Sequence, residues 1–213
     1  MFKRKGGGRK GIWRYLLGTK KVWGHEYTII NTSRYCGKFL ILREGYFCSN
    51  HYHNQKDETF FVLEGKVQLT HDGMITILNE GDSKRIRPQE FHTFLGIKDS
   101  IILEISTHHD DDDSIRETVS DKAKVCYVDL DGFLCTNAKG IYRKAKPIQQ
   151  NIKLINEKYE KGELIIIWTA RGTTTGIDWR DLTERQLSRW GVSYHDLRFG
   201  KPEFDEIYDD KAR

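Results

Sequence analysis

A change of pattern near residue 119 constrains this chain most. Before it, short apolar runs recur at regular spacing and no helical period intervenes. The clearest runs are 39–42, 59–63, 67–70, 74–78 and 101–105, punctuated by Gly45, Glu64-Gly65, Asp72-Gly73 and Glu80-Gly81-Asp82. Asp72-Gly73 between two alternating runs predicts a hairpin. The series predicts a small antiparallel sandwich or barrel. After residue 119, strands and helices alternate. Lys124-Val125-Cys126-Tyr127-Val128 reads as a buried strand. Pro147 opens a helix with Ile148, Ile152, Ile155 and Tyr159 along one face and Gly162 at its end. Residues 164–168 form a continuous apolar strand. Asp178 caps a second helix carrying Trp179, Leu182, Leu187 and Trp190, which ends at Gly191. Ile207-Tyr208 reads as a last short strand. This β-α-β-α-β order predicts a parallel sheet. Two domains are expected, residues 1–118 and 119–213.

Composition narrows the setting. Apolar residues make up 38% and charged residues 31% of the 213. No apolar run approaches the roughly 18 residues that span a bilayer, so no membrane partner is expected. No apolar core follows the basic N-terminus, so a signal peptide is not expected. Cys36, Cys48, Cys126 and Cys135 form no CxxC pair, which predicts reduced thiols in a cytoplasmic protein. The net charge of +4 is uneven: residues 1–21 hold eight Lys/Arg and no acid. This arm reads as a solvated tail whose end, around Trp13, Tyr15, Leu16 and Leu17, docks on the fold. The competing reading is an arm for nucleic acid or anionic ligands.

Two constellations carry chemistry. In the first, His51 and His53 share one face of a strand, with Glu58 and His92 further on. Two imidazoles, a carboxylate and a third imidazole suit a transition metal, whereas histidines on a polar surface loop would bind nothing. The spacing Gly45-x5-His51-x-His53-x4-Glu58-x6-Gly65 resembles the first motif of the cupin superfamily at every fixed position. The second motif is approximate: Gly81, Pro88 and His92 are present, but Glu90 stands where cupins usually carry glycine, and the closing asparagine has no counterpart. The resemblance covers about residues 35–107. It implies an all-β double-stranded β-helix, the cupin barrel, with His51, His53, Glu58 and His92 holding Mn, Fe, Ni, Co or Zn. Glu104, Ser106 and Thr107, followed by acids and Arg116, resemble the end of the cupin domain in mannose-6-phosphate isomerase-type proteins, which points to sugars. On composition alone, the run Asp110-Asp111-Asp112-Asp113 reads as a solvated linker.

The second constellation is Asp129-Leu130-Asp131-Gly132, at the C-terminal end of a strand, where open α/β sheets place ligands. Two carboxylates there suit Mg²⁺-assisted attack on phosphorus, one as nucleophile and one as acid/base. A plain Asp/Gly turn and half of a calcium loop are the competing readings. Thr169-Ala170-Arg171-Gly172, Gly200-Lys201-Pro202 and Asp209-Asp210 follow later strands. Strand-end carboxylates can hold Mg²⁺, while a hydroxyl, backbone N–H groups and a lysine can hold phosphate. The set resembles the haloacid dehalogenase (HAD) superfamily over residues 124–211. The resemblance implies a Rossmann-like α/β domain. It makes Asp129 the nucleophile and Asp131 the acid/base, with Gly132, Thr169, Ala170 and Lys201 binding phosphate. Asp129, Asp131, Asp209 and Asp210 would hold Mg²⁺. Phe133 departs from the usual Thr or Val. Short gaps leave no room for a large cap, and the wording Thr-Ala-Arg-Gly, Gly-Lys-Pro and Asp-Asp-Lys-Ala resembles small capless phosphatases of capsule and surface-polysaccharide biosynthesis.

The expected protein is a phosphatase acting on a sugar phosphate or similar small phosphate ester through an aspartyl-phosphate. It is fused to a cupin that isomerises or epimerises the sugar and forms a homodimer. Two alternatives stand beside it: a cupin that is only a sugar-binding or dimerisation module, and a polynucleotide end phosphatase using the basic arm. The aromatic-plus-basic interleaving that single strands need is thin, so nucleic acid is not the expected partner.

Overall fold

The computed structural model describes residues 18–202 together with Phe204, Glu206, Tyr208, Asp210 and Lys211. Trp13, Tyr15, Leu16, Leu17, Ile207 and Asp209 lie outside the described residues. The chain divides into two compact units, Met1–Ala123 and Lys124–Arg213.

The first unit is all β. Its strands are β1 (Gly18–Lys21), β2 (Gly24–Asn31), β3 (Cys36–Leu42), β4 (Tyr46–Phe47), β5 (His51–His53), β6 (Glu58–Glu64), β7 (Lys66–His71), β8 (Met74–Asn79), β9 (Ser83–Ile86), β10 (His92–Gly96), β11 (Ser100–Ser106), β12 (Ser114–Arg116) and β13 (Asp121–Lys122). One sheet runs β1-β2-β3-β11-β6-β9. The other runs β12-β5-β10-β4-β13, with β7 and then β8 joining through β10. All pairings are antiparallel.

Alternation explains the barrel's interior. In β3, Cys36, Lys38, Leu40 and Leu42 point inward, and in β11, Ser100, Ile102, Glu104 and Ser106 do. Register sets Leu40 against Ile102 and Lys38 against Glu104, while Ile102 faces Val62 and Ser106 faces Glu58. The inner wall is therefore apolar at one end and charged at the other. The apolar end, with Trp23, Leu42, Val62, Leu69 and Ile102, is the core. Each such side chain contributes about 1.5–3 kcal/mol on burial, which supports the charged end. The β7–β8 hairpin turns on Asp72 (φ 46°) and Gly73 (φ 78°), the paired positive φ of a primed turn. Gly65 has φ 99°, and a Cβ there would lie 2.4 Å from the Asp99 carbonyl oxygen, so the position needs glycine.

Two expectations for this half need correction. The aspartate run is not a linker: Asp111–Asp113 is a 3₁₀ turn, and Asp113 accepts from the backbone N–H groups of Gln55 and Lys56. The chain then re-enters the barrel as β12 on β5 and β13 on β4, so residues 119–123 group with the first unit. In addition, the arm's end is structured, since Gly18–Lys21 pairs with β2.

The second unit holds β14 (Val125–Asp129), α1 (Gln149–Glu160), β15 (Leu164–Trp168), α2 (Arg180–Trp190) and β16 (Asp196–Arg198). The strands form a parallel sheet in that order. With three strands and two helices among the described residues, it is smaller than the Rossmann-like domain the HAD resemblance implies. Val128, Ile165, Ile167 and Leu197 pack against Ile152 and Ile155 of α1 and Leu187 of α2. Both helices end in a left-handed glycine with paired return bonds: Gly162 and Glu163 bond to Tyr159 and Lys158, and Gly191 and Val192 bond to Ser188 and Leu187. The N-cap of α2 is Trp179 rather than Asp178, but the Asp178 carboxylate, two residues before the helix begins, accepts from Arg180 N–H at 2.8 Å. Of the expected last strand Ile207-Tyr208, Ile207 lies outside the described residues, and Tyr208 is in no strand and 90% exposed. Among the described residues the third strand is the short, polar-ended Asp196–Arg198, which pairs with β15, a choice composition does not reveal.

No helix among the described residues is long and apolar enough to cross a membrane. All four cysteines are free.

Candidate functional site

In the first unit, β5 presents His51 and His53, β6 begins at Glu58, and β10 begins at His92, which pairs with His51. One ring nitrogen from each of the three histidines lies within 4.8 Å of the others. His51 Nδ1 donates to the Ser49 carbonyl at 2.8 Å, and His92 Nδ1 donates to the Glu90 carbonyl at 3.1 Å. On a neutral ring such a bond leaves Nε2 with its lone pair, the form a metal ligand needs. His92 Nε2 lies 2.8 Å from Glu58 Oε1, yet neither atom makes a hydrogen bond, and buried His53 Nδ1 also lacks one. A contact that close, shielded from water, places a cation or a proton between the two atoms.

Electrostatics keep these groups available as ligands. Burial, reinforced by His92, pushes His51 down to about 3, and burial pushes His53 down to about 4, so both are neutral near pH 7. Burial disfavours the Glu58 carboxylate, but His92 and Lys56 outweigh it and hold the group well below the usual carboxylate range. Three imidazoles and one carboxylate fit a divalent transition metal such as Mn, Fe, Co, Ni or Zn, and His51, His53, Glu58 and His92 are the residues that would hold it.

The cluster opens into a cavity of about 370 Å³ lined also by Trp23, Phe60, Phe94, Glu26, Lys38 and His109. Lys38 is 1% exposed and bonds Glu26 Oε1 at 3.0 Å. Burial raises the Glu26 pKa, but Lys38 and Lys21 outweigh it and leave the carboxyl below its ordinary value. Lys56 is buried between Glu58 and Glu104, 2.5 Å from an oxygen of each. Burial favours its neutral form, but the two carboxylates outweigh this and raise its pKa.

Sequence reasoning missed Lys56, Glu104, Asp113 and the Glu26–Lys38 pair as site residues. One signal was available: Lys38 sits at an inward position between Cys36 and Leu40. Glu90, the departure from the second motif, accepts from Arg87 N–H and pairs with His71 at 3.0 Å.

In the second unit, Asp129 ends β14, and its Oδ1 lies 3.0 Å from Lys201 Nζ. Lys201 N–H donates to the carbonyl of Thr169, whose hydroxyl oxygen accepts from Arg171 N–H. The structure thus brings Asp129, Thr169 and Lys201 together. Gly132, with φ 100°, turns the chain after Asp131, and Ala170 follows Thr169. Both Asp131 oxygens are taken by fully buried Arg171, at 2.7 and 2.8 Å. Arg171 also bonds Thr183 and Gln186 of α2, and its guanidinium stacks on Tyr142. Among the described residues no third carboxylate joins Asp129 and Asp131, and Asp210 is exposed in a turn. Among the described residues the donor set expected for Mg²⁺ is thus limited to Asp129 and Asp131, and Asp209 lies outside them.

The first unit's site defines a class: a β-barrel with a buried histidine–carboxylate cluster suited to a divalent metal. Residues 39–105 match the family described as "Cupin domain", so the first unit carries a cupin domain. The chain is 32% identical over 114 residues to "D-lyxose/D-mannose isomerase" of Thermosediminibacter oceani, covering 40% of this chain and 63% of that protein. It is 30% identical over 109 residues to "Mannose-1-phosphate guanylyltransferase" of Sinorhizobium fredii, covering 49% of this chain and 21% of that protein. The chain spans less than two thirds of the length of either relative. Among solved structures, KdgF from Halomonas sp. aligns with 50% of this chain and 98% of its own at 17% identity, TM-score 0.44.

Proposed function

We propose that the first unit is a divalent-metal-dependent isomerase or epimerase of a mannose-like sugar or its phosphate, acting in the cytoplasm in surface-polysaccharide or nucleotide-sugar biosynthesis. The observation that carries this reading is the meeting of His92 Nε2 and Glu58 Oε1, unbonded at 2.8 Å, beside His51 and His53 at the cavity. The names of both relatives concern mannose, which supports the sugar class. A metal bound there supplies Lewis acidity to a sugar oxygen. The chain supplies the rest. Trp23, Phe60 and Phe94 offer apolar surface to the C–H face of a sugar. Glu26, kept ionised by Lys38, is the wall carboxylate placed to take a proton from carbon, and Lys38 donates to hydroxyls.

The test incubates the full chain, loaded in turn with Mn, Fe, Co, Ni and Zn, with D-mannose, D-lyxose and their phosphates in D₂O. Isomer carrying solvent deuterium is expected, and Glu26→Gln should lose it. No isomer and no deuterium with any metal would sink the reading.

A second reading, phosphoryl transfer in the second unit, rests on Asp129 with Lys201 at 3.0 Å and Thr169 alongside, at the C-terminal ends of parallel strands. Asp129 would attack the phosphorus of a sugar phosphate and displace the sugar oxygen, while Lys201 offsets phosphate charge and backbone N–H groups near Gly132 and Ala170 hold its oxygens. Asp131, once it releases one bond to Arg171, would protonate the leaving sugar oxygen and then take a proton from the water that cleaves the aspartyl-phosphate, freeing phosphate and restoring Asp129. Phosphate release from sugar phosphates, absent in Asp129→Asn, is the expected result. Equal release by that variant overturns the reading.

A further inference from the structure

The first unit buries more charge than its histidine cluster needs. Lys56 is 3% exposed, and its Nζ lies 2.5 Å from Glu58 Oε2 and 2.5 Å from Glu104 Oε1. Its backbone is tied as well, since Lys56 N–H donates to Asp113 Oδ2 at 3.0 Å. Ser106 donates to Glu104 Oε1, the same oxygen that meets Lys56. Lys56 is thus anchored from two directions and presses on only one oxygen of Glu58. The other oxygen, Oε1, faces His92 and His53 at 2.8 and 3.8 Å and makes no hydrogen bond.

A carboxylate can give a metal one oxygen or two, and it turns freely unless something holds its far side. An ammonium fixed on Oε2 removes that freedom and takes the second oxygen out of play. It also draws charge from the carboxylate, which makes a bound metal a stronger Lewis acid. We propose that Lys56 is a positioning residue that makes Glu58 a single-oxygen ligand, and that Glu104 and Asp113 exist at this site to hold Lys56. The assignment rests on the metal reading above. It gives a function to three residues outside the ligand set.

The full chain, stripped by chelation and titrated with Co²⁺, gives the test through its visible absorption and dissociation constant. Lys56→Met combined with Glu104→Gln removes one positive and one negative group, so the site's net charge is kept. Outer residues that orient metal ligands typically govern affinity by about 10–100-fold. The double variant is expected to bind Co²⁺ weaker by about that factor, with a changed absorption spectrum, and Glu104→Gln alone to show the same spectral change at smaller amplitude. A folded double variant with wild-type affinity and spectrum overturns the proposal. Where the double variant does not fold, Glu104→Gln decides, and an unchanged Co²⁺ spectrum overturns it. Wild-type protein that takes up no Co²⁺ overturns the metal reading itself, whereas equal uptake by wild type and variants overturns only the role of Lys56.

Discussion

Both units bury charge, but they leave it in different states. In the first, His53 Nδ1, Glu58 Oε1 and His92 Nε2 are buried and lack hydrogen bonds, while His51 and His53 are held neutral. In the second, the charges complete each other: Arg171 fills both oxygens of Asp131 and bonds Thr183 and Gln186, and Lys201 meets Asp129. An unsatisfied buried group signals a missing partner, whereas a satisfied one asks for nothing. The first site therefore has room for a cation or a shared proton between its groups, and the second has its charges already paired. Reading carboxylate counts alone would treat the two alike.

The comparison can be broken most severely at Arg171. If it is the second unit's internal counter-ion, Arg171→Met strands Asp131 and two α2 side chains, at a cost of about 3–5 kcal/mol. Urea unfolding should show that loss, and a loss below about 1 kcal/mol would mean the pair is not what completes the site. Next comes the first unit's appetite for metal. A divalent ion at 100 times its dissociation constant should stabilise that unit by about 2.7 kcal/mol. Thermal melts with and without chelator should show the gain, and His92→Ala should remove it.

A smaller effect separates the units by pH. The folded values of His51 and His53, about 3 and about 4, lie below the unfolded value near 6.5. Between those limits the unfolded chain binds more protons, so the stability these histidines contribute is intact above about pH 6.5 and is lost as pH falls towards 4. Melts of metal-free protein from pH 7 to 4.5 should show the first unit weakening at up to about 1.4 kcal/mol per pH unit for each histidine. A flat profile would mean the rings are not held neutral. The smallest effect belongs to Lys201→Met. Its partner carboxylate is 42% exposed, so the pair contributes about 0–1 kcal/mol. Stability should stay nearly constant while any phosphate release falls, and a large stability loss would move Lys201 into the structural class with Arg171.

Much of the first unit was legible because its information is local. Period-two alternation in residues 39–42, 59–63 and 101–105 marks strands and their inward faces, and Asp72-Gly73 marks its own turn. His51, His53 and Glu58 fall close in sequence, so one short stretch carries most of the cluster. Lys56 lies inside the same stretch and was not legible. Its role depends on Glu104, which strand pairing delivers from far along the chain. Asp113 likewise reads as one of four solvated aspartates until the barrel closes over it.

The second unit shows the same limit from the other side. Asp129 and Asp131 stand out in sequence as an equivalent pair, yet the fold gives them opposite surroundings. Arg171 reaches Asp131 across 40 residues because β14 and β15 lie side by side, and α2 supplies the remaining partners. A strand was missed for a related reason: Asp196–Arg198 is polar at both ends, and its position beside β15 is what makes it a strand.

The sequence by itself determined the two fold patterns, the turn residues and the set of groups able to bind a cation or a phosphate. These follow from periodicity, backbone preference and side-chain chemistry, which act over a few residues. Only the tertiary structure decided which of those groups are already neutralised and which still lack a partner. Burial and pairing act between residues distant in the chain, and they alone set the cost of leaving a charge or a lone pair unmet.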